Sequence, residues 1–306
     1  MRVLVTGAAG FIATNLEKAL RRGIPRLEVS GLDRRRPQAR FDRWYDIDLL
    51  DRIEVENALH NERPEAVIHL AAQTYVPESV VQPEQFAQDN VIGTTNLMSA
   101  IQRFSPVPAL ILTSSCEVYG DRAEPAGEAS ALAPRSPYAA TKLAQEHLVE
   151  ASAAGFGTRY LIFRLFNNFG PGQQPNRLLP QTLRAAIGRG EFEMHGDGSS
   201  VRDWLDVRDT CDAIVAAVCT RLDGLPPVLN LAAERPMSVL EILAAVEAAF
   251  GCEIAIRRHA PMKGHLQASF GDASAAREAL SWSPRRTVND YLQSLAKGRD
   301  VGSEGR

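Results

Sequence analysis

A chain of 306 residues with 45% apolar side chains is long enough for one large or two small domains around an extensive buried core. The formal net charge is −3, and the basic residues are scattered apart from the run Arg34, Arg35, Arg36, so there is no track for a phosphate backbone and nucleic acid is not expected as a partner. The four cysteines are widely spaced with no Cys-x-x-Cys pair, and no apolar stretch is long enough for a signal peptide or a membrane span. A disulfide framework, a bound metal and a membrane partner are therefore not expected, and the cytoplasm is the expected location.

Short runs rich in Val, Ile and Leu recur at Arg2–Thr6, 27–33, 66–72, Ala109–Ser115 and 160–166, each with the length and composition of a strand buried on both faces. Between them lie segments of helical period at 10–22, 51–61, 84–104 and 138–153. This alternation predicts an α/β fold, a doubly wound parallel sheet of the Rossmann type. After Asn167 the rhythm breaks at Gly170-Pro-Gly-Gln-Gln-Pro-Asn176. The expected division is a sheet domain of 1–169 and 208–235, a smaller α/β lobe of 170–207 and 236–297, and a frayed tail of 298–306.

The first strand runs into Thr6-Gly7-Ala8-Ala9-Gly10-Phe11-Ile12-Ala13, a glycine-rich turn that opens a helix. Gly7 permits the tight turn, Gly10 lets backbone amides approach a pyrophosphate at the positive helix end, and small Ala13 keeps helix against sheet. Asp33 ends the second strand, where a carboxylate accepts hydrogen bonds from ribose hydroxyls and repels a 2′-phosphate. Arg34 pulls the other way, since an arginine there can hold the extra phosphate of NADP; the carboxylate favours NAD.

Ser114-Ser115-Cys116-Glu117-Val118-Tyr119-Gly120 follows the strand Ala109–Ser115, at the strand end that faces the ligand crevice of a doubly wound sheet. Tyr138 and Lys142 stand one helical turn apart after Pro137. A neighbouring ammonium and a positive nicotinamide both favour phenolate, so Tyr138 can take a hydroxyl proton while hydride leaves the same carbon, with the Ser115 hydroxyl as a second hydrogen bond to the reacting oxygen. His69 reads as structural, His195 carries no clear role, and Cys211 and Cys219, eight apart in a helical stretch, read as core.

With these motifs and with His69-Leu-Ala-Ala72, Asn90-Val-Ile-Gly-Thr-Thr-Asn96, Arg164-Leu-Phe-Asn-Asn-Phe-Gly-Pro171, Gly196-Asp-Gly-Ser-Ser-Val-Arg-Asp-Trp-Leu205 and Leu280-Ser-Trp-Ser-Pro284, the chain resembles the nucleotide-sugar epimerase/dehydratase branch of the extended short-chain dehydrogenases over nearly its whole length. The resemblance implies a cofactor groove that includes Phe11, Ile12, Asp48, Leu49, Leu70, Ala71, Ala72, Asn90, Ser114 and Phe166 beside Gly7, Gly10, Asp33, Arg34, Tyr138 and Lys142. It implies that Asn167, Arg177, Leu178, Asn230 and His265 face a UDP-, dTDP-, GDP- or CDP-sugar, with Arg202 on its pyrophosphate, as a bidentate guanidinium suits. It also implies a homodimer joined through the helices at 84–104 and 138–153.

Within that branch, C4 epimerases need nothing beyond the serine, tyrosine and lysine. Glu117 is an extra carboxylate. In the 4,6-dehydratases the equivalent glutamate removes the C5 proton once C4 is a ketone, so Glu117 fits a dehydratase that loses water across C5 and C6. Cys116 replaces the usual aspartate or serine; an unperturbed thiol is mostly protonated at neutral pH and can donate a proton or avoid repelling Glu117. The string around Cys116 is most similar to that of the UDP-N-acetylglucosamine 5,6-dehydratases of tunicamycin biosynthesis. A C4 epimerase, a decarboxylase of UDP-glucuronate type and a non-catalytic dinucleotide sensor are the competing readings, and intact Ser115, Tyr138 and Lys142 weigh against the last.

Overall fold

The computed structural model describes residues 1–222, 224–262, 264 and 266–298. In chain order the elements are β1 (Arg2–Thr6), α1 (Phe11–Gly23), β2 (Glu28–Asp33), β3 (Arg43–Asp46), α2 (Arg52–Glu62), β4 (Ala66–His69), α3 (Val76–Val81), α4 (Pro83–Phe86), a π-helical turn (Ala87–Ile92), α5 (Gly93–Ile101), β5 (Ala109–Ser115), a 3-10 turn (Cys116–Tyr119), α6 (Pro137–Phe156) and β6 (Tyr160–Leu165). There follow β7 (Asn167–Phe169), α7 (Leu178–Ala186), β8 (Phe192–His195), β9 (Val201–Asp206), α8 (Val207–Cys219), β10 (Val228–Leu231), β11 (Pro236–Ser238), α9 (Val239–Phe250), β12 (Ile256–His259), β13 (Ala268–Ser269), α10 (Ser274–Leu280) and α11 (Val288–Ala296).

Seven strands form one sheet in the order β10-β6-β5-β4-β1-β2-β3, every pair parallel. The predicted Rossmann architecture is the one found. Both faces are covered because neighbouring residues on each buried strand point to opposite sides. Val3, Val5, Ile68 and Ile111 join a core beneath α1 and α8, while Leu4, Val67, Leu110 and Leu112 join a second core beneath α2 and α5. The strand order runs outward in opposite directions from the β1–β4 pair, so a crevice opens past the carboxyl ends of β1 and β4.

Local chemistry explains the helix that matters most. At α6, Ser136 accepts a hydrogen bond from the Ala139 amide, Pro137 starts the first turn and Gly157 ends the helix in the left-handed region at φ 69°. The expected single helix at 84–104 is instead broken into α4, the π turn and α5. Its widened turn carries Asn90, whose side chain is anchored in the interior. Edge strand β3 escapes a search for apolar runs because its RWYD sequence is only half-buried.

Past β6 a third core gathers Phe169, Phe192, Trp204, Ile242, Val246 and Leu292. Strands β7, β9, β11 and β13 form a small sheet within this region. Ala273, Ala276, Leu280 and Trp282 instead pack with the large sheet, so the 236–297 segment contributes to both cores. The Trp282 ring N–H donates to the Asp209 carbonyl in α8, 2.8 Å away, and holds α10 there. Among the described residues no helix is long and apolar enough to cross a membrane.

Candidate active site

A cleft of about 490 Å³ lies at the carboxyl ends of β1, β2, β4, β5 and β6. Gly7, Gly10, Phe11, Ile12, Asp33, Arg34, Asp48, Leu49, Leu70, Ala71, Ala72 and Phe166 all line it. At the glycine turn, Gly7 has φ +70°, and a Cβ there would stand 2.7 Å from the Ala71 amide; a Cβ on Gly10 would stand 2.9 Å from the Gly7 carbonyl. Only glycine leaves this cradle open to a pyrophosphate. No side chain caps α1 at Gly10, which leaves the positive helix end facing the cleft.

Asp33 accepts hydrogen bonds from the amides of Ala9 (3.0 Å) and Arg35 (2.8 Å), which fasten the turn and leave carboxylate lone pairs for ribose hydroxyls. Arg34 pairs with Asp48 at 3.3 Å and with Asp89 at 3.2 Å. Held by two carboxylates, its guanidinium is spoken for, which settles the sequence ambiguity toward a dinucleotide without the extra phosphate.

Ser115, Cys116, Glu117, Tyr138 and Lys142 meet at the far end of the same cleft. The Tyr138 hydroxyl hydrogen-bonds Ser115; burial pushes its phenol up, and that bond and the Arg177 guanidinium pull it only partly back. Lys142 donates to the Thr113 carbonyl and to Gln145 Oε1, both at 2.6 Å, and burial pulls its amine down to about 7. Lys142 thus reaches from α6 to β5 while lining the cleft with Tyr138, and the Arg177 guanidinium is a further cation that favours phenolate. Burial raises the Glu117 carboxyl, against the attraction of Arg202.

Cys116 is buried, with Ser269 Oγ donating to its Sγ at 3.3 Å, and burial first and Glu117 second push its thiol up to about 12. The expectation of an unperturbed thiol is corrected accordingly: the group is wholly protonated at neutral pH and a far weaker acid than a free cysteine.

Several expected site residues have hydrogen bonds within the protein. Asn90 is buried behind the cleft lining, bonded to both backbone groups of Gln73 and to Thr141, and ties the loop after β4 to α6. Ser114 lines the cleft, but its hydroxyl is donated to the buried carboxylate of Glu146. Asn230 is fully buried, outside the cleft lining, and bonded to Tyr119, Ala126 and Asp272. Arg202 stands outside the cleft lining, donating to the carbonyls of Val201 (2.8 Å) and Leu266 (2.7 Å). Asn167, Arg177 and Leu178 do line the cleft, and His265 lies outside the described residues.

His69 is bonded to Thr6 and Thr94, and burial pulls its imidazole down to about 3, so it is structural as read from the sequence. Cys211 is buried as expected, whereas Cys219 is exposed on the last turn of α8. Sequence reasoning passed over Thr74, which lines the cleft and accepts a hydrogen bond from Arg177 at 2.7 Å, while that guanidinium sits over the Tyr75 ring at 5.2 Å. The position of Thr74 just past a strand's carboxyl end was the available signal.

Comparison with known proteins agrees with this geometry. The sequence matches the NAD dependent epimerase/dehydratase family over residues 3–232, and the chain belongs to that family. NAD is its cofactor. It is 28% identical to a dTDP-glucose 4,6-dehydratase of Neisseria meningitidis serogroup B, the alignment covering 98% of this chain and 96% of that protein. Among solved structures, a UDP-glucose 4-epimerase of Thermus thermophilus in complex with NAD superposes with a TM-score of 0.89 at 29% identity, covering 99% of this chain and 100% of that one. A dTDP-glucose 4,6-dehydratase of Streptomyces venezuelae with NAD and TYD bound also gives 0.89, at 26% identity, covering 99% and 98%.

Proposed function

We propose that the protein is a nucleotide-sugar dehydratase that oxidises C4 of the sugar and then eliminates water across C5 and C6, leaving a 4-keto-6-deoxy or a 5,6-ene product. The observation that carries this reading is Glu117, a half-buried carboxyl on the cleft wall beside Ser115 and Tyr138, with its proton affinity raised by burial. NAD, when bound, takes the hydride from C4 and returns it to the same sugar, so none is consumed. Tyr138, as the phenolate that Arg177 and a positive nicotinamide would favour against the effect of burial, takes the C4 hydroxyl proton, and Ser115 hydrogen-bonds the oxygen as it becomes a carbonyl. The C4 ketone acidifies C5–H, Glu117 takes that proton, and the C6–O bond breaks. The Cys116 thiol, at about 12, remains a stronger acid than water at about 15.7, so it can protonate the departing hydroxide.

A C4 epimerase is the second reading. The solved 4-epimerase and the solved dehydratase superpose with the same TM-score of 0.89, so backbone shape favours neither, and Glu117 would be idle in epimerisation. The assignment includes a cytoplasmic homodimer joined near α5 and α6, where Val81 and Ile92 are exposed. The test is mass spectrometry of the products from a panel of UDP-, dTDP-, GDP- and CDP-sugars. A product lighter by one water is expected; a product of unchanged mass, with normal turnover by Glu117→Gln, would assign epimerisation instead.

A further inference from the structure

At the opposite end of the large sheet, by the amino ends of β1, β4 and β5, lies a second hollow of about 720 Å³. Its volume falls in the range of small-molecule sites, roughly 300–1,000 Å³. The floor is apolar and buried: Pro64, Pro108 and the pair Val218 and Leu222 close it from three separate segments. The rim is basic. Arg2, Arg63, Arg103, Arg159 and Arg221 all line it, against Glu56 and Glu65 alone of the acids.

Part of this charge has a structural use. Helices α2, α5 and α8 end here, and each carboxyl end carries about half a negative charge that a nearby cation offsets. Arg103 is paired with Glu56 at 3.2 Å. With Glu56 paired to Arg103 and Glu65 beside the Met1 ammonium at 3.9 Å, the three guanidiniums of Arg2, Arg63 and Arg221 still outweigh three helix ends of about half a charge each, in a protein whose net charge is −3. Among the described residues Arg2, Arg63 and Arg221 have no ion-pair partner. Arg63 and Arg221 hold left-handed backbone, at φ 46° and 54°, where glycine or asparagine is the easy residue and arginine is strained.

We propose that this hollow is a second ligand site, separate from the catalytic cleft, that takes a nucleoside diphosphate. The apolar floor accepts the flat base, and the unpartnered guanidiniums of Arg2, Arg63 and Arg221 take the two phosphates as bidentate, charge-assisted donors. Asn57 and His60 on the wall supply polar partners for sugar hydroxyls. The site stands whichever reaction the cleft performs.

The experiment is calorimetric titration of ADP into full-length protein loaded with NAD and saturated with UDP, so that the cleft is filled. Binding to the unmodified protein is expected, together with affinity at least about tenfold lower in the double variant Arg63→Gly, Arg221→Gly and at least about tenfold lower for adenosine than for ADP. Glycine removes the charge and relaxes both left-handed positions, so the variant should unfold at no lower temperature than the parent. The pair Arg63→Asn, Arg221→Asn repeats the comparison with a second residue suited to that backbone. Absence of ADP binding to the parent, equal affinity in the variants, or equal affinity for adenosine would each overturn the assignment.

Discussion

Cys116 and Glu117 are adjacent in sequence yet occupy different environments, and their division of labour follows from that. Both line the cleft, but the thiol is buried and accepts a hydrogen bond from Ser269, while the half-buried carboxyl is under the influence of Arg202. Tyr138, with its phenol raised by burial, is an acid/base group hydrogen-bonded to Ser115. Tyr138→Phe should keep NAD binding and lose about 10²-fold in turnover, as removal of a general acid/base does. Steady-state rates beside an NAD titration check this, and near-normal turnover would remove Tyr138 from the chemistry. His69 gives a separate, pH-dependent signature. Its folded value near 3 lies below the ordinary value of about 6.5, so the unfolded chain binds the proton more readily. The stability contributed by neutral His69 is complete above about pH 6.5 and is lost as pH falls toward 3, by a few kcal/mol in all. His69→Gln should therefore be less stable at pH 7 but should lose less on acidification, and unfolding curves at pH 7 and 5 will compare the two slopes.

At the scale of elements, the turn between β1 and α1 is the most constrained piece of chain. Gly7 combines a left-handed φ with an approach that leaves no room for a Cβ beside Ala71. Gly7→Ala should cost about 1–3 kcal/mol of stability and weaken NAD binding by at least about tenfold, because the turn must open where the pyrophosphate enters. Thermal unfolding and NAD titration measure the two effects, and unchanged NAD affinity would show that the turn does not contact the cofactor. Across the cleft mouth, Arg177 just before α7 is bonded to Thr74 and stacked over Tyr75 in the loop after β4, so one side chain joins the two regions that a substrate must span.

For the whole molecule, the large sheet is tied to the α6 side by a buried polar network. Arg164 on β6 grips Glu146 on α6 at 2.7 Å and donates to the Tyr119 hydroxyl at 3.0 Å and the Glu128 carbonyl at 3.1 Å. Glu146 in turn accepts from Ser114 at the end of β5. Breaking a buried pair from one side strands the other charge, so Arg164→Met should destabilise the protein by about 3–5 kcal/mol. Chemical denaturation will measure this. A loss under 1 kcal/mol would mean that Glu146 finds water or a proton once its partner is gone. The same network occupies one expected cofactor residue and one expected substrate residue: the Ser114 hydroxyl is donated to Glu146, and Asn230 is bonded to Tyr119.

What the sequence determined by itself was whatever depends on local spacing. Apolar runs alternating with helical periods imply the parallel sheet, and Thr6-Gly7 through Ala13, Ser115, Tyr138 and Lys142 imply the cofactor and proton-transfer sites, because each motif's chemistry is set by neighbours within a few residues or one helical turn. Side-chain commitments were beyond it. Asn90, Asn230 and Arg202 carry the right functional groups in the right motifs, but their hydrogen bonds go to Gln73, Asp272 and Leu266, partners 17, 42 and 64 residues distant that only folding brings within reach. The same holds for the chemistry of Cys116 and Lys142, where burial raises the thiol and lowers the amine. It holds too for the basic hollow beneath the sheet, whose arginines come from positions 2 to 221 and share no motif. Desolvation and long-range contacts are properties of the packed molecule, and they decide which of the legible residues are free to act.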